Sequence, residues 1–276
     1  VPVLLDRETG NYYLSGRTGL LKPVDFSPEE ALSLIVLTSE IANSQGVPFL
    51  SPARSAVLKI QSILPAALRD EVGELTGAIR IRFEPSYDQL DDKAPMYERF
   101  IQAMNDRSAV RISYQSPAES ELIGTKLQPY RLLFSRRSWY VIGRSSVHAA
   151  VRTFHLGRVI ELTQLDETYE IPRSFTIERY LRNAWHIIPE EGADQQVVVR
   201  FSPMVAQNVA EVNWHKTQEV VHNEDGSIDY RVTVSGLGEI MWWILGYGDQ
   251  AVVLEPPELR ERIRWRIGRM MENYED

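Results

Sequence analysis

The sequence predicts an α+β protein in three successive parts: an N-terminal hairpin with a small helical module, a five-stranded antiparallel barrel, and a C-terminal α+β domain. Three observations predict it. Between Phe26 and Leu64, apolar residues recur at helical spacing behind two Ser-Pro openings. From Ala109 to Asp166 the period falls to two, in five short runs separated by Ser-, Gly- or Arg-rich turns. After Glu191, strand-like and helix-like stretches alternate in the order strand-helix-strand-strand-helix-strand, which is the ferredoxin-like order.

The chain opens with "VPVLLDRETGNYYLS", which reads as two strands around a polar turn at residues 6–11, with Gly10 supplying the permissive backbone. It has no signal-peptide character. A hairpin is an odd place for a chain to begin, and Val1 stands first, so the expectation is that something upstream has been removed. In "FSPEEALSLIVLTSEIA", Ser27 is the N-cap, Pro28 the first helical residue and Glu30 the partner that completes a capping box. "SPARSAVLKIQSIL" repeats the opening at Ser51-Pro52 and carries Val57, Leu58, Ile60 and Leu64 as a stripe. A third short helix is expected after Pro65. So small a module cannot bury both faces of its helices alone, which calls for packing against another domain or a second copy.

Residues 78–83 read as a strand, followed by a loop holding Asp88, Asp91 and Asp92. A helix over 95–107 turns Tyr97, Phe100, Ile101 and Met104 inward. The barrel strands are placed at 109–115, 124–135, 138–145, 149–156 and 159–166. A linker with Pro172 and a helix over 176–185 lead into the C-terminal part. There the strands are 196–202, 215–222, 228–236 and 251–256, and helices start at Pro203, Glu239 and Pro257. "SGLGE" at residues 235–239 is too short to cradle a phosphate and reads as a strand-to-helix turn. The last helix carries five arginines, but Leu259, Ile263, Ile267, Met270 and Tyr274 form a stripe expected to pack on the C-terminal sheet.

The charge distribution is the most informative functional signal. The 276 residues have a net charge of −8 and no cysteine, which removes disulfides and thiolate chemistry and fits a reducing, cytoplasmic setting. No apolar run is long enough for a membrane helix. Yet residues 122–160 hold Lys126, Arg131, Arg136, Arg137, Arg144, Arg152 and Arg158 without one Asp or Glu. That window contributes +7, so the remainder carries −15. Solvent-facing strands usually mix signs, and a one-sign face invites an anion. Arginine forks match phosphate, while Tyr and Trp offer faces for stacking bases. Trp139, Val141 and Gly143 share one face and Tyr140, Ile142 and Arg144 the other; Arg152 has the parity of Phe154, and His155 the opposite. The alternation leaves open which face is the site.

Other chemistry is absent from the pattern. The five histidines lack zinc-ligand spacing, and His215 in "NWHKTQ" reads as structural. The acidic loop has no calcium-loop glycine. There is no nucleophile elbow, Walker lysine loop or dinucleotide fingerprint, so neither an enzyme nor a cofactor is expected.

Three segments together resemble a known family: "ISYQS", "LQPYRLLFSRRSWYVIGR" and "VRTFHLGRVIEL". They resemble the WYL domain of bacterial transcriptional regulators, an Sm-like barrel named for a Trp-Tyr-Leu triplet that appears here as Trp139-Tyr140-Val141. The Arg-x-Phe-x-Leu-x-Arg run is Arg152, Phe154, Leu156 and Arg158, with His155 and Gly157 departing from the usual Arg and Asp. "NWHKTQ" and "WWILGYGDQAVVLEPPELR" resemble the extension that follows such domains. "LLDRETGNYYL" is similar to the wing and exit strand of a winged helix-turn-helix. The resemblance implies residues 1–25 as residual wing and linker, 26–94 as a helical dimerisation module, 95–175 as the WYL barrel and 176–276 as the extension. It implies a homodimer that reads promoter double-stranded DNA through the missing N-terminal domain. The effector would be single-stranded DNA or another oligonucleotide or nucleotide, held by Arg136, Arg144, Arg152 and Arg158, with Tyr140 and His155 stacking or hydrogen-bonding and Tyr114 and Arg131 as further contacts. A small-anion sensor, a ligand-free interaction module and an unrecognised hydrolase are the competing expectations.

Overall fold

The computed structural model describes residues 3–5, 12–14, 26–43, 50–65, 90–116, 122–135 and 138–275. It divides into two compact units, Val1–Ser86 and Tyr87–Asp276. The turn at 6–11, the third helix after Pro65, the strand at 78–83, Asp88, Arg136 and Arg137 lie outside the described residues.

In the first unit, β1 (Val3–Leu5) and β2 (Tyr12–Leu14) pair antiparallel, with Leu4 opposite Tyr13. Helix α1 (Pro28–Asn43) starts on the expected capping box: Ser27 N donates to Glu30 Oε2 at 2.8 Å and Glu30 N donates to Ser27 Oγ at 3.2 Å. Helix α2 (Leu50–Ile63) lies against it, and Ile35 and Val57 form the buried centre with Leu32, Ile60 and Leu64 packed around them.

The second unit opens with α3 (Leu90–Asn105), which begins five residues before the predicted start at Pro95 and takes in Asp91 and Asp92, expected in a loop. Two carboxylates suit the positive end of a helix, and a proline near that end removes few hydrogen bonds. The inward stripe is also rotated: Met96, Phe100 and Ala103 are buried, and Tyr97, Ile101 and Met104 flank them half-buried. Five antiparallel strands follow, β3 (Ser108–Gln115), β4 (Leu122–Ser135), β5 (Ser138–Ser145), β6 (Ala150–His155) and β7 (Val159–Thr168). Their order is β6-β5-β4-β3-β7, with irregularities at Pro129/Arg131 and Ser113/Tyr114. Each strand falls within two residues of its predicted bounds, because Gly, Ser and charged turns mark the ends. Helix α3 packs on β3 and β4. Gly143 sits where β5 passes the Gln128 carbonyl of β4, and a Cβ there would run into that carbonyl.

The link to the C-terminal domain is α4 (Ile177–Leu181), capped by Thr176, whose Oγ1 accepts from Arg179 N at 3.1 Å. The predicted helix over 176–185 stops early because Arg182 turns left-handed at φ 49°. Beyond it lie β8 (Gln195–Phe201), α5 (Pro203–Ala210), β9 (Glu219–His222), β10 (Ile228–Val234), α6 (Gly238–Leu245), β11 (Ala251–Glu255) and α7 (Pro257–Glu272). The antiparallel sheet runs β11-β8-β10-β9. Its core gathers Val197, Val199, Phe201, Tyr230, Ile240 and Ile244 around Trp185.

Two expectations need correction here. Residues 215–218 are a turn rather than the start of β9, because Gln218 Oε1 accepts from Trp214 N at 2.6 Å and His215 N at 3.0 Å. His215 is structural as expected: it is buried, stacks on Trp185 at 5.7 Å and bonds Thr217 Oγ1 through Nδ1 at 2.9 Å. The stripe of α7 packs only at its start. Leu259 is fully buried, whereas Ile267, Met270 and Tyr274 are exposed, Tyr274 by 85%. The five residues of β11 extend about 17 Å and the 16 of α7 about 24 Å, so the helix outruns the strand beneath it. No helix among the described residues is long and apolar enough to cross a membrane.

Two outcomes follow from these contacts. Gly143→Ala forces β4 and β5 apart and lowers the thermal midpoint by several degrees, the signature of a loss of about 1–3 kcal/mol. Burial holds the His215 imidazole below its ordinary range, reinforced by Lys216 and opposed by the bond to the Ala184 carbonyl. The unfolded chain therefore binds a proton first, and stability falls as pH drops below about 6.5. Denaturant titrations across that range in the wild type and His215→Gln measure the effect, and the variant shows a shallower acid loss.

Candidate functional site

Strand register settles how the candidate side chains are distributed. Across β4, β5 and β6, Leu133, Tyr140 and His155 stand in one row, Arg131, Ile142 and Thr153 in the next, and Gln128, Arg144 and Val151 in the third. Opposite residues of an antiparallel pair share a face. Arg131, Tyr140, Arg144 and His155 therefore lie on one face. Val141 opposes Phe154 and Gly143 opposes Arg152 on the other.

On the first face, the Tyr140 and His155 rings meet edge-on, with centroids 5.0 Å apart and planes at 83°. Both are half-buried. Arg131 is exposed and donates through Nη1 to its neighbour's carbonyl, Tyr130 O, at 2.8 Å. Arg144 is exposed, and burial pushes the nearby Tyr130 phenol up while the Arg144 charge opposes that rise. On the second face, the buried Tyr114 ring sits edge-on to Phe154 at 5.2 Å, and its hydroxyl accepts from His155 N at 3.3 Å. Tyr114 thus supports the backbone under His155 rather than facing outward beside it. Arg158 ends the 3-10 turn Leu156–Arg158 and is exposed. Among the described residues, Arg131, Arg144 and Arg158 make no ion pair.

Arg152 differs. Its Nη2 donates to Glu191 Oε1 at 2.7 Å and its Nη1 to Val151 O at 3.1 Å. Glu191 belongs to the segment leading into the C-terminal domain. The adjacent Thr153, pointing to the opposite face, shares a 2.9 Å hydroxyl bond with Tyr180 and donates to Ile187 O at 3.2 Å. The carboxylate of Glu239 then accepts from the backbone of His186, Ile187 and Ile188. Strand β6 is therefore fastened to the C-terminal domain through two successive residues. Sequence reasoning missed Glu191, Thr153, Tyr180 and Glu239, because no local pattern marks partners 27 to 53 positions apart. No group of His, Asp and Glu able to hold a metal occurs among the described residues.

Residues 95–164 match the WYL domain and residues 193–271 the WCX domain. The pair in this order defines a ligand-sensing class of regulator. The chain belongs to the WYL-domain transcriptional regulators. It is similar to protein PafC of Mycobacterium leprae, with 23% identity over 258 residues covering 93% of this chain and 75% of that protein. An HTH-type transcriptional regulator of Bacillus subtilis, YobV, is 24% identical over 191 residues, 67% of this chain and 58% of that protein. Among solved structures, proteasome accessory factor B/C of Arthrobacter aurescens covers 97% of this chain at 20% identity with a TM-score of 0.33. This chain spans 39% of the length of that one.

Tyr180→Phe removes the hydroxyl bond to Thr153 and costs about 1 kcal/mol, read as a lower denaturant midpoint at unchanged slope.

Proposed function

We propose that this chain is the effector-sensing and dimerisation portion of a bacterial transcriptional regulator, and that its WYL domain binds single-stranded DNA or another oligonucleotide or nucleotide. The observation that carries the proposal is the face on which Arg131 and Arg144 flank the Tyr140–His155 pair, within a window free of acidic residues. Guanidinium forks would take phosphate oxygens, and the Tyr140 and His155 rings would stack or hydrogen-bond with a base. Arg152 and Arg158 extend the cationic surface, as does Arg136 by its place in the sequence. An acidic remainder discourages indiscriminate duplex binding. The effector would act by binding one arrangement of a homodimer better than another. Promoter DNA would be read by a winged helix-turn-helix preceding the present residues.

The same reading extends to architecture. The five-strand order and its bulges support an Sm-like barrel, and the order β11-β8-β10-β9 around α5 and α6 supports a ferredoxin-like C-terminal domain. A second reading has one observation in its favour. The Arg152–Glu191 pair is what an interaction module without a ligand would show, its arginines spent on carboxylates of a neighbouring domain.

Fluorescence anisotropy of a short labelled single strand, titrated with salt and compared with duplex, separates these readings. The single strand binds in preference, with a salt slope near −0.7 per phosphate contacted. Arg144→Ala and Arg158→Ala each weaken it roughly tenfold, the worth of one charged hydrogen bond, at unchanged thermal midpoint. Absence of binding at low salt refutes the oligonucleotide effector. Affinity that does not rise with strand length assigns the site to a compact anion instead.

A further inference from the structure

Glu191 is presented to Arg152 by a segment fixed on both sides. Before it, Glu190 N donates to Ser235 O at 2.8 Å and the Glu190 carboxylate accepts from Gly238 N at 2.8 Å. Gly236 leaves the space that the Glu190 side chain fills: a Cβ there would lie 2.7 Å from it, and Gly236 is at φ +132°. After it, Gly192 takes φ +104° and its carbonyl accepts from Arg182 Nη1 at 2.8 Å, while the same guanidinium bonds Glu190 O. Asn183 holds Asp194 at 2.8 Å. Only the Glu191 side chain stands free of this frame, 84% exposed, and it reaches the Arg152 guanidinium, 38% exposed.

An ion pair this exposed contributes little to stability, about 0–1 kcal/mol. Thr153, Tyr180 and Glu239 already fasten the domains. What the Glu191 carboxylate does is occupy the guanidinium fork. A carboxylate and a phosphate present the same pair of acceptor oxygens to such a fork, so only one can hold it at a time.

We infer that Glu191 is a specificity-determining residue of the effector site: an internal carboxylate that occupies Arg152 until a phosphate of the ligand displaces it. The inference rests on the anionic-effector reading above. A ligand with one phosphate gains from Arg152 only what exceeds the loss of Glu191. A ligand with several phosphates is held by Arg144 and Arg158 meanwhile and displaces the carboxylate without leaving the protein. Glu191 therefore biases the site towards oligonucleotides over mononucleotides.

The test uses the whole chain and a labelled oligothymidylate of about twelve nucleotides, with thymidine monophosphate as competitor. The variants are Glu191→Gln, Arg152→Gln and the double variant. Glu191→Gln tightens oligonucleotide binding by up to about fivefold, the exposed pair's worth, and tightens the mononucleotide by at least as much. In the Arg152→Gln background the gain disappears, because the carboxylate has nothing left to mask. If the wild type binds and Arg152→Gln weakens it while Glu191→Gln changes nothing, the inference fails and the effector reading stands. If the gain persists without Arg152, removal of one negative charge explains it and the inference is overturned. If neither oligonucleotide nor mononucleotide binds the wild type, both fall together.

Discussion

The pairing of β5 with β6 fixes everything the candidate site consists of. Six rows of opposed residues decide that Tyr140 meets His155, that Arg144 shares their side and that Arg152 takes the other. A shift of one residue would exchange the faces, turning Val141 and Phe154 outward. The register is held because both sides of β5 are buried along most of its length, leaving a slipped pairing nothing to gain. It is held again at Gly143, where β4 comes so close that only a residue without a side chain fits. The glycine is thus a structural requirement of the cationic face, although it touches none of the charged groups.

Alternation along β6 also explains how a small sheet is joined to its neighbour. Consecutive residues point to opposite sides, so Arg152 and Thr153 grip the C-terminal domain from two directions. The receiving side is stiff: one carboxylate, Glu239, gathers three successive backbone N–H groups of the linker. Lys216 adds a bond to Arg182 O at 2.5 Å, next to the left-handed residue that ends α4. A displacement of β6 by a bound ligand would be passed on rather than absorbed, since few loose segments lie between.

Much of the fold was legible. Binary alternation, Ser-Pro caps and glycine turns placed the strands of both sheets, with the order of elements in the C-terminal domain. The errors share a cause. The early start of α3, the early stop of α4 and the turn at His215 are each decided by one distant or side-chain hydrogen bond that leaves periodicity unchanged. The stripe on α7 was read correctly as apolar, but no pattern reveals that the sheet beneath is shorter than the helix above. For the site, residue types and charge were visible, and parity separated Tyr140 from Trp139 and Arg152 from His155. The partners of Arg152 and Thr153 were not, because long-range contacts leave no mark on local spacing.

The overhang of α7 has an optical consequence. Of the six tryptophans, Trp242 and Trp265 are more than half exposed, and the Arg266 guanidinium lies 5.0 and 4.9 Å from their ring centres. Trp139 and Trp185 are buried in the two domains, while Trp214 and Trp243 are only partly covered. The emission of the native protein is therefore a sum of a blue, shielded component and a red component open to quenchers. Unfolding changes the first far more than the second, so the wavelength of observation selects which part of the molecule is being watched.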